Sequence, residues 1–117
     1  MTQKEVTING KTYPVVFTMK TITGFEEIVN HSFFDDKFTK MVSRMAIVIA
    51  AIFAADEKAD ITADSMLNAD NWQTAQDIIA AYTTVMKMAG EFFKVPETEK
   101  KDDKPAEEAE ETEKPKN

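Results

Sequence analysis

Apolar and polar residues alternate at the start of the chain, and this pattern predicts a β-hairpin. The alternation runs through residues 6–8 and 13–17, on either side of the dipeptide Asn9-Gly10. Asn-Gly is the preferred dipeptide of a two-residue type I′ turn. The turn length fixes the register, with the expected pairs Ile8–Lys11, Val6–Tyr13 and Glu5–Pro14. The apolar side chains of both strands then share one face, which must pack on a helix because a lone hairpin is only marginally stable.

A continuous apolar segment, MAIVIAAIFAA at residues 45–55, lies within a longer stretch of helical periodicity over residues 36–56. The apolar positions at steps of three and four are Phe38, Met41, Val42, Met45, Ile49, Ile52 and Phe53. A helix that is apolar almost all round is typical of a buried helix. A membrane-spanning helix needs about 20 apolar residues, and charged residues bound this run on both sides. The pattern therefore predicts the central helix of the core and no membrane segment.

Two further helical segments are predicted on either side of this central one. Residues 19–31 carry apolar positions at helical spacing, and Thr23 with Glu26 forms a candidate capping box that would delay the helix start. After the central helix, the stretch ITADSMLNA at residues 61–69 predicts one short helical turn capped by Thr62.

The last long helix is predicted over residues 71–94, with Asp70 as its N-cap and Gln73 in the reciprocal position. Its apolar residues form two adjacent seams. The first seam is Trp72, Ala75, Ile79, Tyr82, Met86, Ala89 and Phe93, and the second is Ile78, Ala81, Val85, Met88 and Phe92. One neighbouring helix cannot cover both seams. We therefore expect one of them to remain available to another protein or to a second copy.

The composition changes at Pro96. Residues 96–117 contain nine acidic residues, five basic residues and three prolines, with no large apolar side chain. Such a segment cannot bury enough surface to offset the entropy lost on ordering. The sequence thus predicts one mainly α domain over residues 1–95, with an N-terminal β-hairpin packed on a small bundle of about three to four helices. A disordered acidic tail over residues 96–117 is expected to follow it.

Charge and composition exclude several classes of function. The 117 residues include 21 acidic and 14 basic side chains, for a net charge of −7. Phosphate binding depends on clustered Lys and Arg, and Arg44 is the sole arginine. Nucleic acid is therefore not expected as a partner. Because the sequence has no cysteine, disulfides, thiolate metal sites and thiol nucleophiles are excluded.

The remaining titratable residues do not suggest catalysis. The single histidine, His31, falls near a predicted helix end and has no partners at the spacing of a metal site or an acid–base pair. The adjacent pairs Asp35-Asp36 and Glu26-Glu27 would diverge on a helix, so we expect helix-start charge and a solvated face. No glycine-rich phosphate loop is present. We expect no enzyme activity, no catalytic residue, no cofactor and no metal.

An interaction surface fits the sequence better than a catalytic site. Six methionines beyond Met1 lie in or beside the apolar seams, and ordinary core filling explains any single one of them. Flexible thioether side chains also suit a surface that accepts an extended or imperfect partner. The second seam of the last helix and the methionines of the central one supply the candidate partner-binding residues: Val85, Met88, Phe92, Met41 and Met45. We expect the same surface to promote self-association.

The opening VTINGKTYPVVFTMKTITGFEEI resembles the start of the tail assembly chaperones of long-tailed bacteriophages and prophages. In that family a hairpin with a Gly-Lys turn and an aromatic residue leads directly into a helix with an acidic pair. The matching residues here are Gly10, Lys11, Tyr13, Phe17, Phe25 and Glu26-Glu27. The helical middle and the charged tail are also similar to the family.

The resemblance implies a non-enzymatic, self-associating protein of the host cell cytoplasm that is absent from the mature virion. It would bind the tape measure protein and assist assembly of the tail tube, with the tail tube protein as a further partner. The chain would correspond to the short form of a frameshifted pair. The family defines no catalytic residue that could be carried over. The residues alone leave open an alternative: a small helical adaptor or regulatory subunit of a toxin–antitoxin or secretion system.

Overall fold

The computed structural model describes residues 3–69 and 71–94, and within them the chain forms a hairpin, one turn of 3-10 helix and four α-helices. The elements are β1 Lys4–Ile8, β2 Lys11–Val15, α1 Met19–Val29, the 3-10 turn Phe33–Asp35, α2 Met41–Ala55, α3 Ala63–Ala69 and α4 Trp72–Phe92. The expected fold class, a hairpin packed on a small helical bundle, is confirmed. The expected disordered tail, residues 96–117, lies outside the described residues.

The hairpin has the expected register. Val6 lies opposite Tyr13, and Glu5 lies opposite Pro14. The turn residue Asn9 has φ 54° and Gly10 has φ 79°, the left-handed pair that a type I′ turn requires. The side chains buried on the shared face are those of Val6, Ile8, Tyr13 and Val15.

Helix α1 begins earlier than the predicted capping box would place it. The N-cap is Thr18, whose side chain accepts a hydrogen bond from the backbone N–H of Lys20 at 3.2 Å. Thr21 completes the box, because its hydroxyl oxygen accepts from the backbone N–H of Thr18 at 3.1 Å. The Thr23–Glu26 box is wrong: the hydroxyl of Thr23 donates to the carbonyl of Met19 within the helix.

Helix α2 begins five residues later than predicted. The chain turns at Asp36, whose carboxylate accepts the backbone N–H of Phe38 at 2.7 Å, and Phe38 has φ 56°. This left-handed residue cannot continue a helix, although its ring is buried as the periodicity required. The expectation of a buried central helix is confirmed, because residues 45–52 are all buried. In the part of the chain that the structure describes, no helix is long and apolar enough to cross a membrane.

The sequence predicted the N-cap of α3 correctly, but not the N-cap of α4. Thr62 caps α3 as predicted, and its hydroxyl oxygen accepts the backbone N–H of Ser65 at 3.0 Å. Helix α4 is capped by Asn71, whose side chain accepts the backbone N–H of Thr74 at 2.8 Å. The prediction of Asp70 as the cap is therefore wrong, and Asp70 itself lies outside the described residues.

The hairpin packs on two helices at once. Strand β2 contacts α2, and β1 contacts α4. The backbone N–H of Asn9 donates to a carboxylate oxygen of Asp77 at 3.0 Å, and the hydroxyl of the buried Thr74 donates to the side-chain oxygen of Asn9. The hairpin turn is thus fastened to the first turns of α4.

Candidate partner-binding surface

The second seam of α4, which was expected to be available to a partner, lies in the core. The side chains of Val85 and Met88 are 0% and 6% exposed. Phe92 is partly buried, and its ring meets that of Phe17 edge-on at 5.3 Å. The seam is covered because α4 packs against both α2 and β1. The expectation that these three residues form an open surface is wrong, and the reason for assigning them to a partner is lost.

The two methionines proposed for partner binding have different surroundings. Met45 is buried in the core. Met41, in the first turn of α2, is 39% exposed and borders a shallow cavity of about 160 Å³ between the starts of α2 and α4. The structure thus leaves Met41 as the one exposed member of the five predicted residues.

A chain of phenylalanine rings connects the core to an exposed aromatic surface that sequence periodicity did not identify. Its members, linked by ring contacts, are Phe17, Phe25, Phe33, Phe34, Phe38, Phe92 and Phe93. At the surface, Phe34 is 71% exposed and Phe93 is 44% exposed, and their ring centroids are 5.8 Å apart. We call this pair the aromatic ridge.

The sequence carries a signal for the aromatic ridge in its two Phe-Phe dipeptides. At residues 33–34 the first ring is buried and the second is exposed. At residues 92–93 the first ring is partly buried and the second is exposed. The first dipeptide begins the 3-10 turn and the second stands at the end of α4. In each, one ring lies against the core and its neighbour is exposed. Helical periodicity alone could not show that the two outward rings meet.

A second apolar surface is the groove between α1 and α2, which we call the α1–α2 groove. It has a volume of about 570 Å³ and is closed at one end by the start of α3. Its helical lining includes Gly24, Glu27 and Ile28 from α1 and Ile49, Phe53 and Ala54 from α2.

Asp36 lies at the centre of a polar network that the sequence did not predict. The exposed fraction of its side chain is 7%. One carboxylate oxygen accepts from the ring Nε2 of His31 and from the hydroxyl of Ser43, each at 2.7 Å; the other accepts from the backbone of Phe38. Burial raises the pKa of Asp36, but the hydrogen bonds from Ser43, His31 and Phe38 together outweigh it, so that the pKa lies below its usual value. The expectation that Asp36 is solvated is wrong.

This network has the residue types of a catalytic triad but not its connectivity. The hydroxyl of Ser43 and the ring of His31 both bond to the same oxygen of Asp36. In a catalytic triad the serine hydroxyl donates a hydrogen bond to the imidazole, which then takes its proton. Here the carboxylate joins the two groups and holds the turn before α2 in place. Among residues 3–69 and 71–94, no three His, Cys, Asp or Glu residues come together as a group that could hold a metal ion.

The residues that carry the family resemblance have mostly structural roles. Gly10 supplies the turn, and Tyr13, Phe17 and Phe25 are buried. In the acidic pair, Glu26 accepts the backbone N–H of Phe33 at 2.8 Å and so fixes the 3-10 turn that carries Phe34. Glu27 is exposed and borders the α1–α2 groove.

Comparisons of the chain with protein-family models, with curated proteins and with solved structures gave no match.

Proposed function

We propose that the protein is a tail assembly chaperone of a long-tailed bacteriophage or prophage. It binds the tape measure protein in the cytoplasm of the host cell, assists tail tube assembly with the tail tube protein as a further partner, and is absent from the mature virion. The proposal takes its family from the resemblance of residues 6–28, and its binding surface from the aromatic ridge.

The observation that carries the proposal is the exposure of Phe34 and Phe93 side by side. Fully burying one phenylalanine is worth about 1.5–3 kcal/mol, so covering the exposed parts of both rings would contribute about 2–3 kcal/mol to binding. A long helical client presents apolar side chains at regular intervals, and such side chains can pack against paired rings in the helix-in-groove manner. The ridge also rests on rings that are fixed in the core, so little side-chain entropy is lost on binding.

The test is co-expression with the tape measure protein of the same genome, scored as the fraction of that protein that stays soluble. We expect the wild-type chain to raise this fraction and Phe34→Glu/Phe93→Glu to abolish the increase, because two charges would be buried against an apolar client. Circular dichroism should show that the variant keeps its helix content, since Phe34 is 71% exposed and Phe93, which follows the last residue of α4, is 44% exposed.

The matched control is Trp72→Glu. Trp72 is 75% exposed and lies at the opposite end of α4, about 30 Å from Phe93 at the rise of an α-helix. We expect this variant to keep the client soluble. If the wild-type chain does not change client solubility, the chaperone proposal fails and the adaptor alternative becomes the better one. If Trp72→Glu acts like the double variant, the aromatic ridge is not the binding surface.

A further inference from the structure

The charges on α1 are placed against the helix dipole. The positive end of a helix dipole is its N-terminus, which favours acidic side chains, whereas the C-terminus favours basic ones. Helix α1 has no acidic residue in its first turn and no basic residue in its last. It carries instead Lys20 near its start and Glu27 near its end. Local helix stability does not explain this arrangement.

Contacts within the chain account for these two charges only in part. The Nζ of Lys20 lies 2.8 Å from a carboxylate oxygen of Glu57, but the two side chains are 66% and 77% exposed, and exposed ion pairs contribute little. For Glu27 the described part of the chain contains no hydrogen bond or ion pair. Lys20 and Glu27 cannot pair with each other, because seven residues along a helix separate them by about 10.5 Å.

The two charges are complementary to a reversed copy of the same helix. Lys20, Thr23 and Glu27 are exposed on one face of α1, and the centre between Lys20 and Glu27 falls between Thr23 and Gly24. If a second α1 lies antiparallel with its twofold axis at that centre, each Lys20 faces the Glu27 of the other copy. The same Lys20–Glu27 contact is then made twice, as each contact is in an isologous interface.

We propose that α1 is the interface of a symmetric homodimer, in which α1 of a second copy lies antiparallel across it and over the α1–α2 groove. Thr23, a small exposed residue, lies where the helices cross, whereas Gly24 beside it packs against Ala50 of α2 in the same chain. Ile28, which is 46% exposed, and the apolar floor of the groove supply surface to bury. The interface is independent of the proposed function, because its test needs only the purified chain.

Charge reversal on the full-length chain tests the pairing by sedimentation equilibrium. We expect the wild type to dimerise, and Lys20→Glu or Glu27→Lys to weaken the dimer about tenfold, since each substitution creates two like-charge contacts. The double variant Lys20→Glu/Glu27→Lys should restore the dissociation constant to within about twofold. A restored dissociation constant cannot come from an interaction between the two side chains of one helix, because they are farther apart than the Debye length of about 8 Å in physiological salt.

The matched control is Lys87→Glu, which makes the same change in net charge on an exposed position of α4. It should leave the dimer unchanged. A wild type that stays monomeric up to millimolar concentration would overturn the proposal, as would a double variant that remains weak or a control that weakens the dimer as much as Lys20→Glu.

A cross-linking experiment gives an independent readout, because the chain has no cysteine of its own. Thr23→Cys places one thiol beside the twofold axis, and mild oxidation should give a disulfide-linked dimer. The control is Thr83→Cys on α4, since Thr23 and Thr83 are both exposed and both donate to the carbonyl four residues earlier. Equal cross-linking of the two variants would overturn the proposal.

Other occupants of the groove give different results. If Lys20→Glu lowers client solubility in co-expression while the purified wild type is a monomer, the groove binds the client and the homodimer is refuted. If the wild type is a monomer and a chain ending at residue 95 dimerises, the segment 96–117 covers the groove, which also refutes the proposal.

Discussion

Replacing Asp36 by alanine should destabilise the fold strongly, because its side chain is only 7% exposed and accepts three hydrogen bonds. The substitution removes the acceptor for the backbone N–H of Phe38, the hydroxyl of Ser43 and the ring of His31. Phe38 adopts φ 56°, a conformation that costs energy in a residue with a side chain. The carboxylate therefore holds both a polar network and an unfavourable backbone conformation.

The magnitude follows from the burial of the donors. Hydrogen bonds to charged groups contribute about 1.5–3 kcal/mol each, and a buried donor left unpaired costs about 1–3 kcal/mol. His31 is 45% exposed and can bond to water instead, whereas Ser43 is buried. Removing the carboxylate also removes the cost of burying it. We therefore expect Asp36→Ala to lower the free energy of unfolding by about 3 kcal/mol. In a domain of this size that loss lowers the melting temperature by about 12–24 °C.

The assay is urea and thermal unfolding followed by circular dichroism, with Asp35→Ala as the control. Asp35 is exposed and precedes Asp36 directly, so its loss should change stability by less than about 0.5 kcal/mol. Equal effects of the two substitutions would refute the reasoning, because burial and donors would then not distinguish the two carboxylates.

The pH dependence provides a second check on the same residue. Because the pKa of Asp36 is lowered in the folded state, its contribution is fully present above the ordinary aspartate pKa of about 3.9 and is lost as the pH falls through the lower folded value. The stability difference between wild type and Asp36→Ala should therefore narrow as the pH falls below about 4. A gap that stays constant down to pH 2 would contradict the lowered pKa.

Three further predictions concern other parts of the chain. Met88→Glu should prevent folding because Met88 is buried, while Ile79→Glu should be tolerated because Ile79 is 36% exposed; circular dichroism distinguishes the two. Gly10→Ala should cost about 1 kcal/mol in urea unfolding, since φ is +79° although a Cβ would meet nothing within 4 Å. Deleting residues 96–117 should leave the melting temperature within a few degrees; a cooperative loss of helix would show that the segment packs on the domain.

Local sequence signals predicted the hairpin and the central helix because each signal is compatible with few local structures. Asn9-Gly10 selects one turn and therefore one register. The apolar run in α2 has no polar face to present to solvent, so burial follows whatever packs around it. These elements required no knowledge of distant contacts.

The start of α2 could not be predicted from periodicity. Phe38 is three residues before Met41 and fits the helical stripe, but it reaches the core from a turn held by Asp36. Apolar spacing reports which side chains are buried and does not report whether the backbone that carries them is helical. Choices among neighbouring caps, such as Thr18 over Thr23 and Asn71 over Asp70, failed for a similar reason, since several adjacent residues had suitable side chains.

The candidate surface failed because it depends on packing between distant segments. The sequence showed that α4 has two apolar seams, but not that α2, β1 and Phe17 all pack against this helix. The two Phe-Phe dipeptides likewise meet only in the folded chain. Among the predicted partner-binding residues, Met41 alone is exposed, at 39%, and the aromatic ridge could be identified only from the structure.

The fastening of the hairpin turn to α4 has a consequence for the order of events during synthesis. Asn9 and Thr74 are 65 positions apart, so β1 can gain its contacts with α4 only after those 65 residues have been added, although β2 can pack on α2 earlier. At about 5–20 residues per second, that interval is several seconds, during which the apolar α2 also lacks its final neighbour. The domain therefore completes its core only after α4 has been made, and a nascent chain halted before α4 would expose hydrophobic surface to cellular chaperones.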